Sequence, residues 1–171
     1  MKKFIITTAM IMLAAISGFG QKYALVDMEY VLKNIPDYEM MNQQLEEVSK
    51  KWQGEVEAME NMAQTKYKKY QSDLVFLSAD QKKQREDEIV KLEQKAAELK
   101  RKYFGPEGEL FKKRMDLMKP IQDEIWNAVK DIAKAQGFQM VLDRGTSGII
   151  FASPAIDISA DVLKKLGFSA Q

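Results

Sequence analysis

Apolar residues recur every three or four positions along the centre of the chain, the spacing of one face of an α-helix. This stripe continues from Tyr38 to Leu77 through Met41, Leu45, Val48, Trp52, Val56, Met59, Ala63, Tyr67, Tyr70 and Leu74. It predicts one helix of about 40 residues with a narrow apolar face. Val48, Met59 and Tyr70 are 11 residues apart, a repeat that predicts a nearly straight helix.

A second helical stripe follows a short interruption. Ser78 and Gln81 have the spacing of a capping box at the start of this helix. Gly137 is expected to end it in the left-handed backbone conformation. Because the connection is short, the two helices are predicted to form an antiparallel coiled-coil hairpin, here called the arm, over 37–120 with its bend near 77–80. The second stripe consists of Ile89, Leu92, Ala96, Leu99, Tyr103, Phe111, Met115, Met118, Ile121, Ile125, Val129 and Ile132.

The middle of the arm contains residues that disfavour a regular helix. With the bend at Ser78 and Ala79, Trp52 should lie opposite Gly105, and Gly54 opposite Tyr103. Pro106 lacks an amide hydrogen, so a kink is expected around 102–106. Two interpretations remain: Gly105 makes room for Trp52, or Gly54, Gly105 and Pro106 form a hinge.

The segments 21–36 and 121–171 are predicted to form a small body with three strands, at 23–27, 138–143 and 148–152. Ser159 should cap a final short helix, with Ile158 and Leu163 as a hydrophobic staple. Because so few residues cannot form a sufficient hydrophobic core in a monomer, the body is expected to oligomerise. The residues expected at that interface are Leu25, Val26, Val141, Leu142, Ile149 and Ile150.

The first 20 residues have the pattern of a secretory signal peptide. Lys2 and Lys3 precede an uncharged stretch over 4–20, and small residues come just before Gln21. The apolar run is short for a membrane span, so cleavage after Gly20 is favoured over a retained anchor.

The composition argues against an enzyme, a metal site and a nucleic-acid binder. The chain has no Cys and no His, so the usual nucleophile, general base and zinc ligands are missing. Lys and Arg (26) nearly equal Asp and Glu (25), which disfavours nucleic acid as a partner. No cofactor is expected, and Asp27 and Asp143 at strand ends are the only acids that would merit a catalytic test.

The charge is distributed unevenly along the chain. Residues 66–102 contain 11 basic and 7 acidic residues, a net charge of plus 4. The basic residues near the bend are Lys66, Lys68, Lys69, Lys82, Lys83 and Arg85. They are either a solvated arm tip or a surface that attracts acidic client polypeptides, meaning unfolded chains bound by the arm, or anionic lipid.

Several apolar residues of the arm lie off both stripes. They are Met40, Met62, Val75, Phe76, Val90, Phe104, Leu110 and Leu117. A passive coiled-coil strut or adaptor needs only its seam and a polar exterior, whereas flexible Met beside aromatic residues suits weak contact with many sequences. We therefore expect all of them except Met40, which we leave unassigned, to contact client polypeptides. The alternative is a structural or adaptor protein of the cell envelope.

Three segments stand beside the signal peptide and the charged helical hairpin: YALVDMEYVL (23–32), GFQMVLD (137–143) and DISADVLKKL (157–166). With these features the chain resembles the Skp/OmpH family of periplasmic chaperones. The resemblance implies a mainly α fold with a small β body (α+β), in which three chains join through their bodies and their arms surround a cavity. The implied function is ATP-independent holding of unfolded outer-membrane proteins in the periplasm.

Overall fold

The structure, a computed structural model, describes residues 22–169. Its elements are β1 (Tyr23–Val26), α1 (Met28–Lys33), α2 (Pro36–Asp73), α3 (Ala79–Phe104), α4 (Glu109–Gln136), β2 (Met140–Asp143), a 3-10 turn (Pro154–Ile156) and α5 (Ser159–Lys165). The fold is therefore mainly α with a small β part, as predicted. The expected signal peptide lies outside the described residues.

The described residues divide into two compact units. One is Ile35–Glu124, and the other joins the chain up to Asn34 with the chain from Ile125 onward. None of the helices in 22–169 is long and apolar enough to cross a membrane.

The long helix α2 begins with Pro36 at its first position, where a missing amide hydrogen costs nothing. It ends at Asp73, four residues before the predicted end at Leu77, because 74–76 form a turn. The predicted cap of α3 is confirmed: the Gln81 amide donates to Ser78 Oγ over 3.3 Å, and the Ser78 amide donates to Gln81 Oε1 over 3.0 Å.

Helices α2 and α3 pack along each other as the predicted antiparallel hairpin. The Trp52 and Tyr103 rings stack with centroids 4.7 Å apart and planes 2° apart, and the Tyr103 hydroxyl donates to Glu55 over 2.6 Å. The register therefore differs by two residues from the predicted one, and the interpretation that Gly105 makes room for Trp52 is wrong.

The chain between α3 and α4 is interrupted over four residues, more than the predicted kink. A Cβ on Gly105 would lie 2.4 Å from the carbonyl oxygen of Arg101, and one on Gly108 would lie 2.7 Å from that of Tyr103. Both glycines are thus required by the backbone beside them. Helix α2 runs unbroken through Gly54, where an added Cβ would meet nothing within 4 Å.

We predict opposite effects for two Gly→Ala substitutions in the arm. Gly105→Ala should lower the free energy of unfolding by about 1–3 kcal/mol, because the Arg101 carbonyl must move. Gly54→Ala is the matched control and should raise it by about 0.5–1 kcal/mol, because Ala is the better helix former. Urea unfolding at one fixed protein concentration measures both, and a neutral Gly105→Ala would contradict the backbone explanation.

The hydrogen bond to Glu55 predicts a pH dependence. It raises the pKa of the Tyr103 phenol above its ordinary value of 10.0. The neutral phenol is the favoured form in the folded state, so its stabilisation is present below pH 10 and is lost as the pH rises through the raised pKa. The difference in unfolding free energy between the unmodified protein and Tyr103→Phe should shrink above pH 10. A difference that stays constant to pH 11.5 would contradict this.

The small sheet consists of two parallel strands. Tyr23 to Val26 of β1 pair in register with Met140 to Asp143 of β2, and three of the four β1 residues are buried. Gly137 ends α4 with the predicted left-handed conformation (φ 74°), which directs the chain into β2. The most deeply buried side chains of this unit are those of Val31, Ile125, Val162 and Leu163.

The prediction of a third strand at 148–152 is wrong. Gly148 has a left-handed φ of 63°, and the Ile150 and Phe151 side chains are exposed, with no strand beside them in the described chain. The position next to β1 is instead taken by Asp157, which forms an isolated bridge with Leu25. The amide of Ile158 donates to the Leu25 carbonyl over 2.8 Å.

The prediction that Ser159 caps the last helix is also wrong. Ile158 holds the cap position of α5 and has no capping side chain, and Asp157 Oδ1 accepts from the Ser159 amide over 2.9 Å. The Ser159 hydroxyl instead accepts from the Asp27 amide over 2.8 Å and donates to Asp157 Oδ1 over 2.6 Å. It ties α5 to the end of β1. Ile158 and Leu163 are both buried, as expected for a staple.

Candidate client-binding surface

The arm carries exposed apolar side chains at several levels. Of the seven positions predicted to contact clients, Met62, Val75, Phe76 and Val90 are exposed. The other three, Phe104, Leu110 and Leu117, are half-buried. Met40, also off the stripe, is exposed.

One apolar opening that includes residues of this group lies at the interruption between α3 and α4. It is an open cleft of about 470 Å³, and it brings together Phe104 and Leu110 of the predicted set with Gly105 and Pro106. Its other lining residues are Asn42, Leu45, Glu46, Ser49, Tyr103, Phe111 and Arg114. A lining that combines aromatic rings with a few polar groups suits an apolar side chain of a bound polypeptide.

Two residues of this surface that follow the interruption were not predicted from the sequence. The periodicity assigns Phe111 and Met115 to the buried seam, yet they are 50% and 49% exposed. The reason is the interruption at 105–108, after which α4 approaches α2 less closely than α3 does. The Gly-Pro-Glu-Gly sequence at 105–108 could have indicated this exposure, because an apolar stripe cannot be extrapolated across a break in the helix.

Further clefts occur above and below the interruption. One of about 240 Å³ is lined by Met40, Met41, Leu117 and Pro120, among others. Another, of about 460 Å³, is lined by Asn61, Met62, Thr65, Lys66 and Leu92, and most of the atoms at its surface are apolar. The arm therefore offers several shallow apolar sites along its length.

The basic residues near the bend are in two different states. Lys66 pairs with Glu88 over 2.6 Å, and this ammonium lowers the pKa of Glu88. The remaining five have no ion pair with any residue in 22–169; they are Lys68, Lys69, Lys82, Lys83 and Arg85. Their charge is available to a partner.

The two acids that merited a catalytic test have structural roles. Asp27 caps α1 by accepting from the Tyr30 amide over 2.9 Å. Asp143 holds the following turn, accepting from the Gly145 amide over 3.1 Å and from the Thr146 hydroxyl over 2.9 Å. Within the described ranges no group of His, Cys, Asp and Glu could hold a metal ion.

The residues expected at the oligomer interface differ in burial. Leu25 and Val26 are buried within one chain, and Val141, Leu142 and Ile149 are half-buried. Ile150 is fully exposed, and its neighbour Phe151 is 85% exposed. The 149–151 segment is the part of this unit that has the most apolar surface left for a partner.

Known proteins resemble this chain over nearly its whole length. The family described as Outer membrane protein (OmpH-like) matches residues 22–166. The chaperone protein Skp of Yersinia enterocolitica is 29% identical, and the alignment covers 97% of this chain and 99% of that protein. Skp of Pectobacterium atrosepticum is also 29% identical, with the same coverage.

A solved structure gives the same result for the fold. The OmpH-like protein of Caulobacter crescentus superposes with a TM-score of 0.70 at 13% identity, over 88% of this chain and 86% of that one. The hairpin, the small parallel sheet and the match over 22–166 lead to one conclusion: the chain belongs to the OmpH-like family, the Skp/OmpH family that its sequence resembles.

Proposed function

We propose that the protein is an ATP-independent holding chaperone of the periplasm that keeps unfolded outer-membrane proteins from aggregating. The observation that carries this proposal is the series of shallow apolar clefts along one helical hairpin. The relatives reported above are named as chaperones, and the protein is accordingly not an enzyme.

The clefts explain how binding can be both broad and reversible. Each one has room for an apolar side chain but is open to solvent, so a single contact is weak. Several weak contacts made by one client add up through multivalency, while each can dissociate and re-form separately. Flexible Met40, Met62 and Met115 adapt to side chains of different shape.

A homotrimer with a cavity between its arms is the assembly that we propose. The support is the exposed Ile150 and Phe151 pair, which is unusual in an isolated unit of this size, together with a sheet of only two strands in the described chain. Three arms would multiply the number of clefts that one client reaches. The N-terminal signal pattern supports export to the periplasm.

Light scattering of an outer-membrane protein diluted from urea tests the proposal. Without ATP, suppression of aggregation should become complete near one trimer per client. A protein that forms the hairpin but gives no suppression at a tenfold excess would instead be the strut or adaptor named above.

A further inference from the structure

Methionine is the only sulfur-containing amino acid of this chain, because the chain has no Cys. Six of the eight methionines in 22–169 lie on the arm. Three of these six are exposed: Met40 by 53%, Met62 by 43% and Met115 by 49%. Exposure decides which thioethers an oxidant in solution reaches first, so these three are the accessible sulfur atoms of the arm.

Two of the exposed methionines have a buried methionine close by on the same helix. Met41, next to Met40, is only 3% exposed. Met118, three residues after Met115, is only 8% exposed. The arm therefore contains its own reference positions, where the same thioether is kept away from solvent.

The exposed methionines belong to the apolar surface that is proposed to bind clients. Met40 lines the cleft of about 240 Å³, and Met62 lines the cleft of about 460 Å³. Met115 lies one helical turn after Phe111, which lines the cleft at the interruption. A change in the polarity of these three side chains would therefore alter the client-binding surface at three levels of the arm.

We propose that Met40, Met62 and Met115 form a reversible oxidation site through which hydrogen peroxide switches off client holding. The thioether sulfur attacks one oxygen atom of the peroxide and the O–O bond breaks. The departing hydroxide takes the proton of the transferred oxygen, so the products are a sulfoxide and water. The sulfur is oxidised by two electrons and the peroxide is reduced by two. The proposal rests on the proposed holding function, whose binding surface it regulates.

Oxidation at these positions should change the contacts of the arm and leave its fold intact. A sulfoxide is polar, so moving it from water into contact with an apolar client side chain is unfavourable, whereas the same contact is favourable for a thioether. The free arm loses little, because the exposed side chains already contact water. Methionine sulfoxide reductases restore the thioether, and exposed side chains are within their reach.

Controlled oxidation of the purified protein tests the proposal. The sulfoxide at each methionine is quantified by peptide fragmentation in a mass spectrometer, and holding is measured by light scattering. Met40, Met62 and Met115 should react roughly tenfold faster than Met41 and Met118. The protein concentration for half-maximal suppression should rise about tenfold, with an unchanged circular dichroism spectrum. Treatment with the two methionine sulfoxide reductases, one for each sulfoxide epimer, should reverse the rise.

Two matched variants separate the arm from the rest of the chain, and each is compared with its own untreated sample. The triple variant Met40→Leu, Met62→Leu, Met115→Leu has apolar side chains that peroxide does not oxidise, so peroxide should leave its activity unchanged. Met140→Leu removes an exposed methionine outside the arm. This variant should lose activity on oxidation as the unmodified protein does.

Four results would overturn the proposal. The first is equal oxidation rates at Met40 and Met41, and the second is full suppression by protein that is oxidised at all three arm positions. The third is a loss of activity in the oxidised triple Leu variant equal to that of the unmodified protein, and the fourth is a loss that the reductases do not reverse. Failure of the untreated protein to suppress aggregation would refute the holding function itself, and the switch with it.

Discussion

Replacing Met62, Val90, Phe111 and Met115 by Gln should remove most of the holding activity while leaving the fold intact. All four side chains are exposed on the arm, so each substitution should change the free energy of unfolding by no more than about 0.5 kcal/mol. Loss of their apolar contacts should weaken client binding by on the order of 2 kcal/mol in total, about thirtyfold.

The measurement is the concentration needed for half-maximal suppression of aggregation, with circular dichroism as the check on folding. The matched control replaces exposed polar residues of the same arm, Gln84 and Gln94, by Ala. This control should hold clients as well as the unmodified protein does. Equal activity in the control and in the Gln variant would mean that clients bind a different surface.

Ile150→Asp should convert the protein to monomers. Ile150 makes little contact inside its own chain, so the substitution should leave the fold of a single chain unchanged. At an interface, however, three buried carboxylates would replace three apolar side chains, and each buried Ile contributes roughly 1.5–3 kcal/mol. We expect the association constant to fall by at least a hundredfold.

Sedimentation equilibrium measures this change, and Ser147→Asp is the control, an exposed polar position in the preceding turn. The control should remain trimeric. A trimer that persists in Ile150→Asp would place the interface elsewhere, and an unmodified protein that is monomeric at micromolar concentration would contradict the proposed assembly. The monomeric variant should also hold clients poorly, because the arms no longer share one client.

Most of the fold could be predicted because helical periodicity and capping are local properties. The steps of three and four up to Leu74, and the Ser78 and Gln81 pair, each specify their structure within a few residues. The prediction of the third strand was wrong because a strand is not a local property. The run at 148–152 has strand-like residues, but a strand also needs a neighbouring backbone, and Asp157 already occupies the place beside Leu25.

The candidate surface was only partly predictable for a similar reason. Off-stripe residues such as Met62 and Val90 are exposed because helix geometry places them there. Phe111 and Met115 fit the stripe but remain exposed, because their burial depends on how closely α4 approaches α2 after the interruption. Sequence spacing carries no information about that distance. The stacking of Trp52 on Tyr103, two residues from the expected register, is likewise set by the packing of α3 on α2.

The central claim, that clients occupy the apolar clefts of the arm, is tested most directly by site-specific photo-crosslinking. The photoreactive residue p-benzoylphenylalanine is placed singly at Met62 or Phe111, and at Lys51 and Gln84 as exposed polar controls on the same arm. We predict crosslinks to an unfolded outer-membrane protein at Met62 and Phe111, removed by excess unlabelled client, and few at the two controls. Equal crosslinking at all four positions, or none at Met62 and Phe111, would contradict the account.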